Sequence, residues 1–270
     1  MSVYVCLKQV PNVEGVPSID PESGFLRADA WYLNPLDAYA MRGALETAAA
    51  LETDCVAVSF GGPETVEGLR QALGLGAERA VLASSDAPMP GPGVTAWALA
   101  GAIRADMQAN MREHGVSTSL VFCGRQSSDV AGLQVPYRLA ACLGFSVVSE
   151  VNAWRVMDGC CEVFRQAGSL REYLETDMPC VLALNRGQGE MPRPTLPGLI
   201  RAKKKTVRVL GREEIIAAQP PEWAEPPKDP KLLRARNVPD EHHCRFAQGE
   251  TVEARVRDLV RMLREDGSLS

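Results

Sequence analysis

Ser119-Leu-Val-Phe-Cys-Gly-Arg-Gln-Ser-Ser-Asp-Val-Ala-Gly-Leu-Gln134 passes from a short apolar run into a polar loop bearing two glycines. The next segment, Gln134–Leu143, carries a helical pattern and stops at Gly144, a residue suited to the left-handed position after a helix. An apolar run without alternation suits a strand covered on both faces. Strand, short loop and helix in that order form the repeating unit of a parallel sheet. The same unit recurs toward the N-terminus. Val3–Leu7, Cys55–Phe60 and Arg79–Ala83 are further apolar runs. Helical patterns lie between them, from Asn34-Pro35 to about Leu51, over Thr65–Leu75 with Val66, Leu69 and Leu73 on one face, and over Val94–Met111. Asn34 reads as an N-cap, Pro35 as the first helical residue, and Asp37 as a first-turn acid favoured by the helix dipole. The expectation is an α/β fold built on a doubly wound, mostly parallel sheet.

Beyond Phe145 the pattern changes. Val151–Val156 and Cys161–Arg165 flank Met157-Asp158-Gly159, which reads as a hairpin, and Leu170–Thr176 and Cys180–Leu184 continue as strands. An antiparallel extension of the sheet is expected from these four. Residues 185–198 are too rich in Gly and Pro for regular structure, and Thr206–Leu210 reads as a last short strand. Gln219–Pro230 carries five prolines and reads as an extended linker. Thr251–Glu265 closes the chain with Val252, Val256, Leu259, Val260 and Leu263 in one apolar stripe, a helix expected to dock on something else.

Charge and composition narrow the function. A net charge of −5 argues against a general nucleic-acid binder, and no apolar stretch approaches the roughly 20 residues that a membrane helix needs. The apolar run at Met1–Lys8 is too short for a signal peptide, and none of the eight cysteines has Cys-x-x-Cys spacing. A cytoplasmic, reduced protein without membrane insertion or metal centre is expected. His242-His243-Cys244 reads as a linker feature, and His114 as a helix-end residue.

Ligands of an open parallel sheet bind where strands end, near the switch point. Four loops qualify: Cys6-Leu-Lys-Gln9, Asn34-Pro-Leu-Asp37, Ser59-Phe-Gly-Gly-Pro63 and Gly124–Gln134. In the last, Gly124 and Gly132 allow close backbone approach, and Ser127 and Ser128 supply hydroxyls. The helix near Gln134 presents free N–H groups to a phosphate, which Arg125 can neutralise, and Asp129 suits either a ribose hydroxyl or a turn cap. An ordinary polar loop capped by Asp129 accounts for the same residues equally well. Neither G-x-G-x-x-G nor G-x-x-x-x-G-K-[ST] is present, and no nucleophile–base pair can be assembled, which favours a binding role over self-contained catalysis.

Taken in order, Cys6-Leu-Lys-Gln-Val-Pro11, Asn34-Pro-Leu-Asp37, Gly68-Leu-Arg-Gln-Ala-Leu-Gly-Leu-Gly-Ala77, Cys123-Gly-Arg-Gln126 with Gln134-Val135, and Pro194-Thr-Leu-Pro-Gly-Leu-Ile-Arg-Ala-Lys-Lys-Lys205 resemble the beta subunit of electron transfer flavoproteins (the FixA family) over nearly the whole chain. The resemblance implies a Rossmann-type, adenine-nucleotide-hydrolase-like domain over 1–210. An arm and helix over 211–270 would dock on an alpha subunit that holds most of the FAD. It further implies AMP, or a second FAD, in this chain, and electron flow from dehydrogenases to a quinone reductase or similar acceptor. The positions implied at the nucleotide are Cys6, Asn34, Pro35, Leu36, Asp37 and Phe60, followed by Gly124, Arg125, Gln126, Ser127, Ser128 and Asp129, and then Val130, Ala131, Gly132, Leu133, Gln134 and Val135. A partner-recognition loop is implied at Asn185, Arg186, Gly187, Gln188, Gly189 and Glu190.

The chain departs from the family pattern at four places, one of them Val10-Pro11-Asn12, where Val-Pro-Asp is common. A second acidic residue and a following glycine are replaced in Val130–Pro136, the acidic signature after the long hairpin reads Gly168-Ser-Leu-Arg-Glu172, and Arg186 stands where well-known members carry an apolar Leu. AMP and FAD therefore both stay open, as does a subunit that keeps the fold without a nucleotide. A stand-alone nucleotide-binding regulator or adenylate-processing enzyme of the same fold class is the alternative.

Overall fold

A computed structural model describes residues 1–12, 19, 30–85, 91–114, 119–186, 193–230 and 244–269. The chain divides into two compact units, Met1–Ala235 and Arg236–Ser270. In the first unit the strands are β1 (Ser2–Leu7), β2 (Gln9–Pro11), β3 (Trp31–Leu33), β4 (Asp54–Gly61), β5 (Arg79–Ser84), β6 (Ser119–Gly124), β7 (Ser146–Met157), β8 (Cys160–Ala167), β9 (Leu170–Asp177), β10 (Cys180–Leu184) and β11 (Val207–Leu210). Its helices are α1 (Pro35–Ala50), α2 (Thr65–Leu75), α3 (Pro92–His114), α4 (Val135–Leu143), α5 (Leu196–Lys204) and α6 (Arg212–Ala218).

Nine strands form one sheet in the order β11-β5-β4-β1-β6-β10-β7-β8-β9, and β2 and β3 pair separately. The strands from β11 to β7 run parallel, as the repeated strand–helix units require. Alternate residues of β1 point into different layers. Val3, Val5 and Leu7 pack with α1 and α2, whereas Tyr4 and Cys6 pack with α3 and α4. Burial of both faces is why the strand reads as an unbroken apolar run. The end of α4 also follows its sequence: Gly144 takes φ 73°, the left-handed conformation that closes the helix.

Two elements differ from expectation. In the nine-stranded sheet only β8, β9 and the second half of β7 are antiparallel, whereas β10 enters the parallel part between β6 and β7. All five residues of β10 are buried, so its continuous apolar run is that of a central parallel strand. Gln219–Pro230 is not a free linker. The Trp97 indole donates to the Trp223 carbonyl at 2.7 Å, and the Asp229 carboxylate accepts the Gly93 and Val94 amides at 2.8 and 2.7 Å. Asp229 thus supplies an N-terminal cap to α3 from far along the chain.

The antiparallel ribbon is anchored to α1. Trp154 packs edge-on against Phe122 with ring centroids 5.1 Å apart and donates to the Thr47 hydroxyl at 2.8 Å. In the second unit α7 (Val252–Glu265) is capped by Thr251, whose hydroxyl accepts the Ala254 amide at 3.2 Å. Val252, Val256 and Leu259 are exposed on α7. Among the described residues no helix is long and apolar enough to cross a membrane.

Candidate functional site

The connection after β1 carries the chain toward β4 and β5, whereas β6 lies on the other side of β1. The strand order therefore reverses between β1 and β6, which opens a crevice at their carboxyl ends. The residues bordering that crevice come from the β1 end, the start of α1 and the loop after β6.

Asp37 is the hub. It is almost fully buried in the first turn of α1, where its carboxylate accepts the Lys8 amide at 2.8 Å and the Gly124 amide at 3.2 Å. Burial pushes its carboxyl up to about 7, opposed by hydrogen bonds from Asn34, Lys8 and Gly124 and by the Lys8 charge. Gly124 is obligatory beside it, since a Cβ there would stand 2.3 Å from Asp37 Oδ1 and 2.9 Å from the backbone of Leu36 and Asp37. Asn34 starts α1 as expected but does not cap it through its side chain. Its amide instead donates to the Gln126 carbonyl at 2.9 Å, and its Oδ1 accepts the Ser128 amide at 3.1 Å. Asn34 is therefore a peg that fixes the opposite loop.

Lys8 closes the ring, with its ammonium 2.7 and 2.9 Å from the two oxygens of Asp129. Burial works against the ionised Asp129, but hydrogen bonds from Lys8 and Ser127 prevail and hold its carboxyl below the usual value. Asp129 also accepts the Val130 amide at 2.9 Å, which makes it a turn cap. Past it the backbone is strained. Ala131 and Leu133 take φ 50° and 58° without being glycine, and Val130 and Leu133 are exposed. Gln134 precedes α4 without a side-chain cap, its Oε1 accepting from the Arg138 guanidinium at 2.9 and 3.0 Å. With Pro136 lacking an N–H, the Val135 and Tyr137 amides head α4.

Other expected positions divide. Cys6 and Cys123 continue the β1–β6 register that pairs Val5 with Phe122, so the two thiols stand beside one another. Contact with Cys6, then burial and the nearby Asp37, push the Cys123 thiol well above its ordinary value. Phe60 packs against the core on the α3 side. Arg125 forms an ion pair with Glu150 on β7. Glu150 also accepts the Asn185 amide group at 3.0 Å, so the first residue of the expected partner loop is tied to the loop after β6. Gly187, Gln188, Gly189 and Glu190 lie outside the described residues, as do His242, His243 and the His114 side chain. Among the described residues no cluster of three metal-ligating side chains occurs.

Sequence reasoning missed Lys8 and Glu150. A lone lysine directly after the first apolar run, in a strand-end loop already selected, was a usable signal for Lys8. Nothing in Ser146-Val-Val-Ser-Glu-Val151 singles out Glu150 before its strand partners are known.

The model of the electron transfer flavoprotein domain matches residues 24–214. The chain belongs to the electron transfer flavoprotein family, beta-subunit (FixA) type. It is 25% identical over 273 residues to the electron transfer flavoprotein subunit beta of Bacillus subtilis, covering 100% of both chains. It is 30% identical over 228 residues to that subunit of Mycobacterium bovis, covering 79% of this chain and 80% of the other. The Caffeyl-CoA reductase-Etf complex subunit CarD of Acetobacterium woodii is 27% identical over 268 residues, with 98% of each chain covered. This electron transfer flavoprotein subunit thus aligns over nearly its whole length with the Bacillus subtilis and Acetobacterium woodii relatives.

Proposed function

We propose that this subunit pairs with an alpha-type chain in the cytoplasm and holds an adenine nucleotide, AMP or a second FAD, in the crevice between β1 and β6. The complex would carry electrons from dehydrogenases to a quinone reductase or similar acceptor. The observation that carries the reading is the crevice itself: a switch-point cleft whose far wall, Gly124–Gln134, is held by Lys8, Asn34 and Asp37 and runs into an α4 start with no side-chain cap. Such a helix start takes a phosphate on its free amides.

The residues present fit that ligand class. Ser128 offers a hydroxyl, the amides of Val135 and Tyr137 offer donors, and exposed Val130 and Leu133 offer apolar surface for a base. Arg125, committed to Glu150, is a scaffold residue in this arrangement. FAD, where bound, supplies the electron-accepting ring, and the residues here bind and orient. The apolar stripe of α7 supports docking of the C-terminal helix on the alpha chain, and Asn185–Glu190 would be the loop that meets the donor.

Co-expression with an alpha-type chain, followed by extraction and chromatography of bound nucleotide, tests the reading. One flavin per heterodimer with AMP identifies the AMP form, and two flavins identify the second-FAD form. A homodimer that carries neither flavin nor AMP overturns it, and ATP turnover by the isolated chain would favour an adenylate-processing enzyme instead.

A further inference from the structure

Glu150 has three properties that do not follow from the sheet alone. It takes φ 59°, a left-handed conformation in a residue with a full side chain. It stands at a register shift, where Leu182 pairs with Val148 but Leu184 pairs with Val151, so β7 carries an extra residue at this point. Its carboxylate is divided between two loops, with one oxygen on the Arg125 guanidinium and the other 3.0 Å from Asn185 Nδ2. Left-handed non-glycine residues persist only where their surroundings hold them, and they collect at functional sites.

Backbone contacts run alongside this clamp. The Arg125 amide donates to the Leu184 carbonyl at 3.0 Å, and the Asn185 amide donates to the Val151 carbonyl at 3.0 Å. The first residue after β6 and the first after β10 are therefore joined both through backbone and through Glu150. Asn185 in turn sets Arg186, whose amide donates to Asn185 Oδ1 at 2.9 Å. Asn185 and Arg186 open onto a cavity of about 640 Å³ between α1 and the ribbon, lined also by Tyr39, Arg42 and Trp154. Arg125 heads the loop that borders the crevice, whereas Asn185 and Arg186 border this second opening.

We propose that Glu150 is a positioning residue that links the Gly124–Gln134 loop to Asn185-Arg186, so that filling the crevice changes the hold on the segment that meets the electron donor. The linkage is reciprocal: whatever braces Asn185 also braces the nucleotide loop. Naming the crevice ligand and the donor contact rests on the proposed function, whereas the clamp between the two loops does not.

Hydrogen exchange of the nucleotide-stripped heterodimer, with and without added AMP, tests this in the wild type and in Glu150→Gln and Glu150→Gly. Glutamine keeps the shape but removes the charge, and glycine removes the side chain and the backbone strain together. In the wild type AMP is expected to slow exchange at both Arg125 and Asn185 by about tenfold or more. In both variants the response at Arg125 is retained and that at Asn185 is lost, while core amides such as Val121 are unchanged. An Asn185 response that persists in both variants, or that is missing from the wild type with AMP bound, overturns the proposal. If AMP does not bind, the nucleotide reading fails on its own. The clamp then stands if either variant speeds Asn185 exchange about tenfold without AMP, and falls if neither does.

Discussion

The Asp37 carboxylate lies 3.2 Å from the Gly124 amide across the carboxyl ends of β1 and β6, and no Cβ fits between them. The neighbours at 2.9 Å are backbone atoms of α1, which cannot turn aside as a flexible side chain would. Gly124→Ala is therefore expected to push β6 from α1, costing about 1–3 kcal/mol. Urea denaturation reads the cost, and nucleotide content after co-expression falls with it. An alanine variant of wild-type stability would show that the contact yields more easily than the geometry states.

Asp37 also imposes a pH dependence. Its carboxyl is pushed up to about 7 in the folded chain from an ordinary value of 3.8, so between these values the folded state keeps a proton that the unfolded state has lost. Its contribution to stability is complete below about pH 4 and is lost as pH rises through about 7. Asp37→Asn abolishes this dependence, and the wild-type-minus-variant stability should fall between pH 5 and pH 7.5 by at most about 1.4 kcal/mol per unit. Denaturant midpoints at four pH values measure it. A flat difference would mean that the donors around Asp37 keep it ionised throughout.

The parallel half of the sheet was legible because its signals are local. An unbroken apolar run, a glycine-bearing loop and a helix closed by Gly144 occupy neighbouring positions in the chain. The loops of the crevice were legible for the same reason, since strand ends follow from strands. What each side chain does there was not. Asn34 has the residue type of an N-cap, yet its amide is used on Gln126 and Ser128, more than ninety residues away. Arg125 looked like a phosphate ligand until its partner on β7 was in place. The position of β10 depends on pairing that no local pattern encodes, although its five buried residues are consistent with a central strand.

Lys8 braces the loop from the β1 side, and its ammonium is partly exposed while the Asp129 carboxylate is 6% exposed. Exposure on one side of the pair limits its value to about 1 kcal/mol. Lys8→Met keeps most of the stem and removes the charge, so a loss of that size is expected, with the Asp129 carboxyl rising toward or above its usual value. Because the folded carboxyl is held down by Lys8, the stabilisation is present above the unfolded value and is lost as pH falls through the lower, folded one. Equal losses for Lys8→Met at pH 7 and at pH 3 would contradict this account.

Gly43 and Trp154 offer the sharpest test of how the ribbon is held. A Cβ at Gly43 would lie 2.5 and 2.7 Å from the outer ring atoms of Trp154. Gly43→Ala is thus expected to cost about 1–3 kcal/mol through overpacking, although alanine favours a helix over glycine. Trp154→Phe removes the same outer ring atoms and leaves the Thr47 hydroxyl, 7% exposed, without its indole donor. That single change costs about 1–3 kcal/mol by itself. The alanine methyl and the missing ring occupy one space, so the double variant should be more stable than the sum of the two losses by at least about 0.5 kcal/mol. Additive losses in a double-mutant cycle, read from urea denaturation, would mean that the ribbon moves off α1 rather than packing onto it.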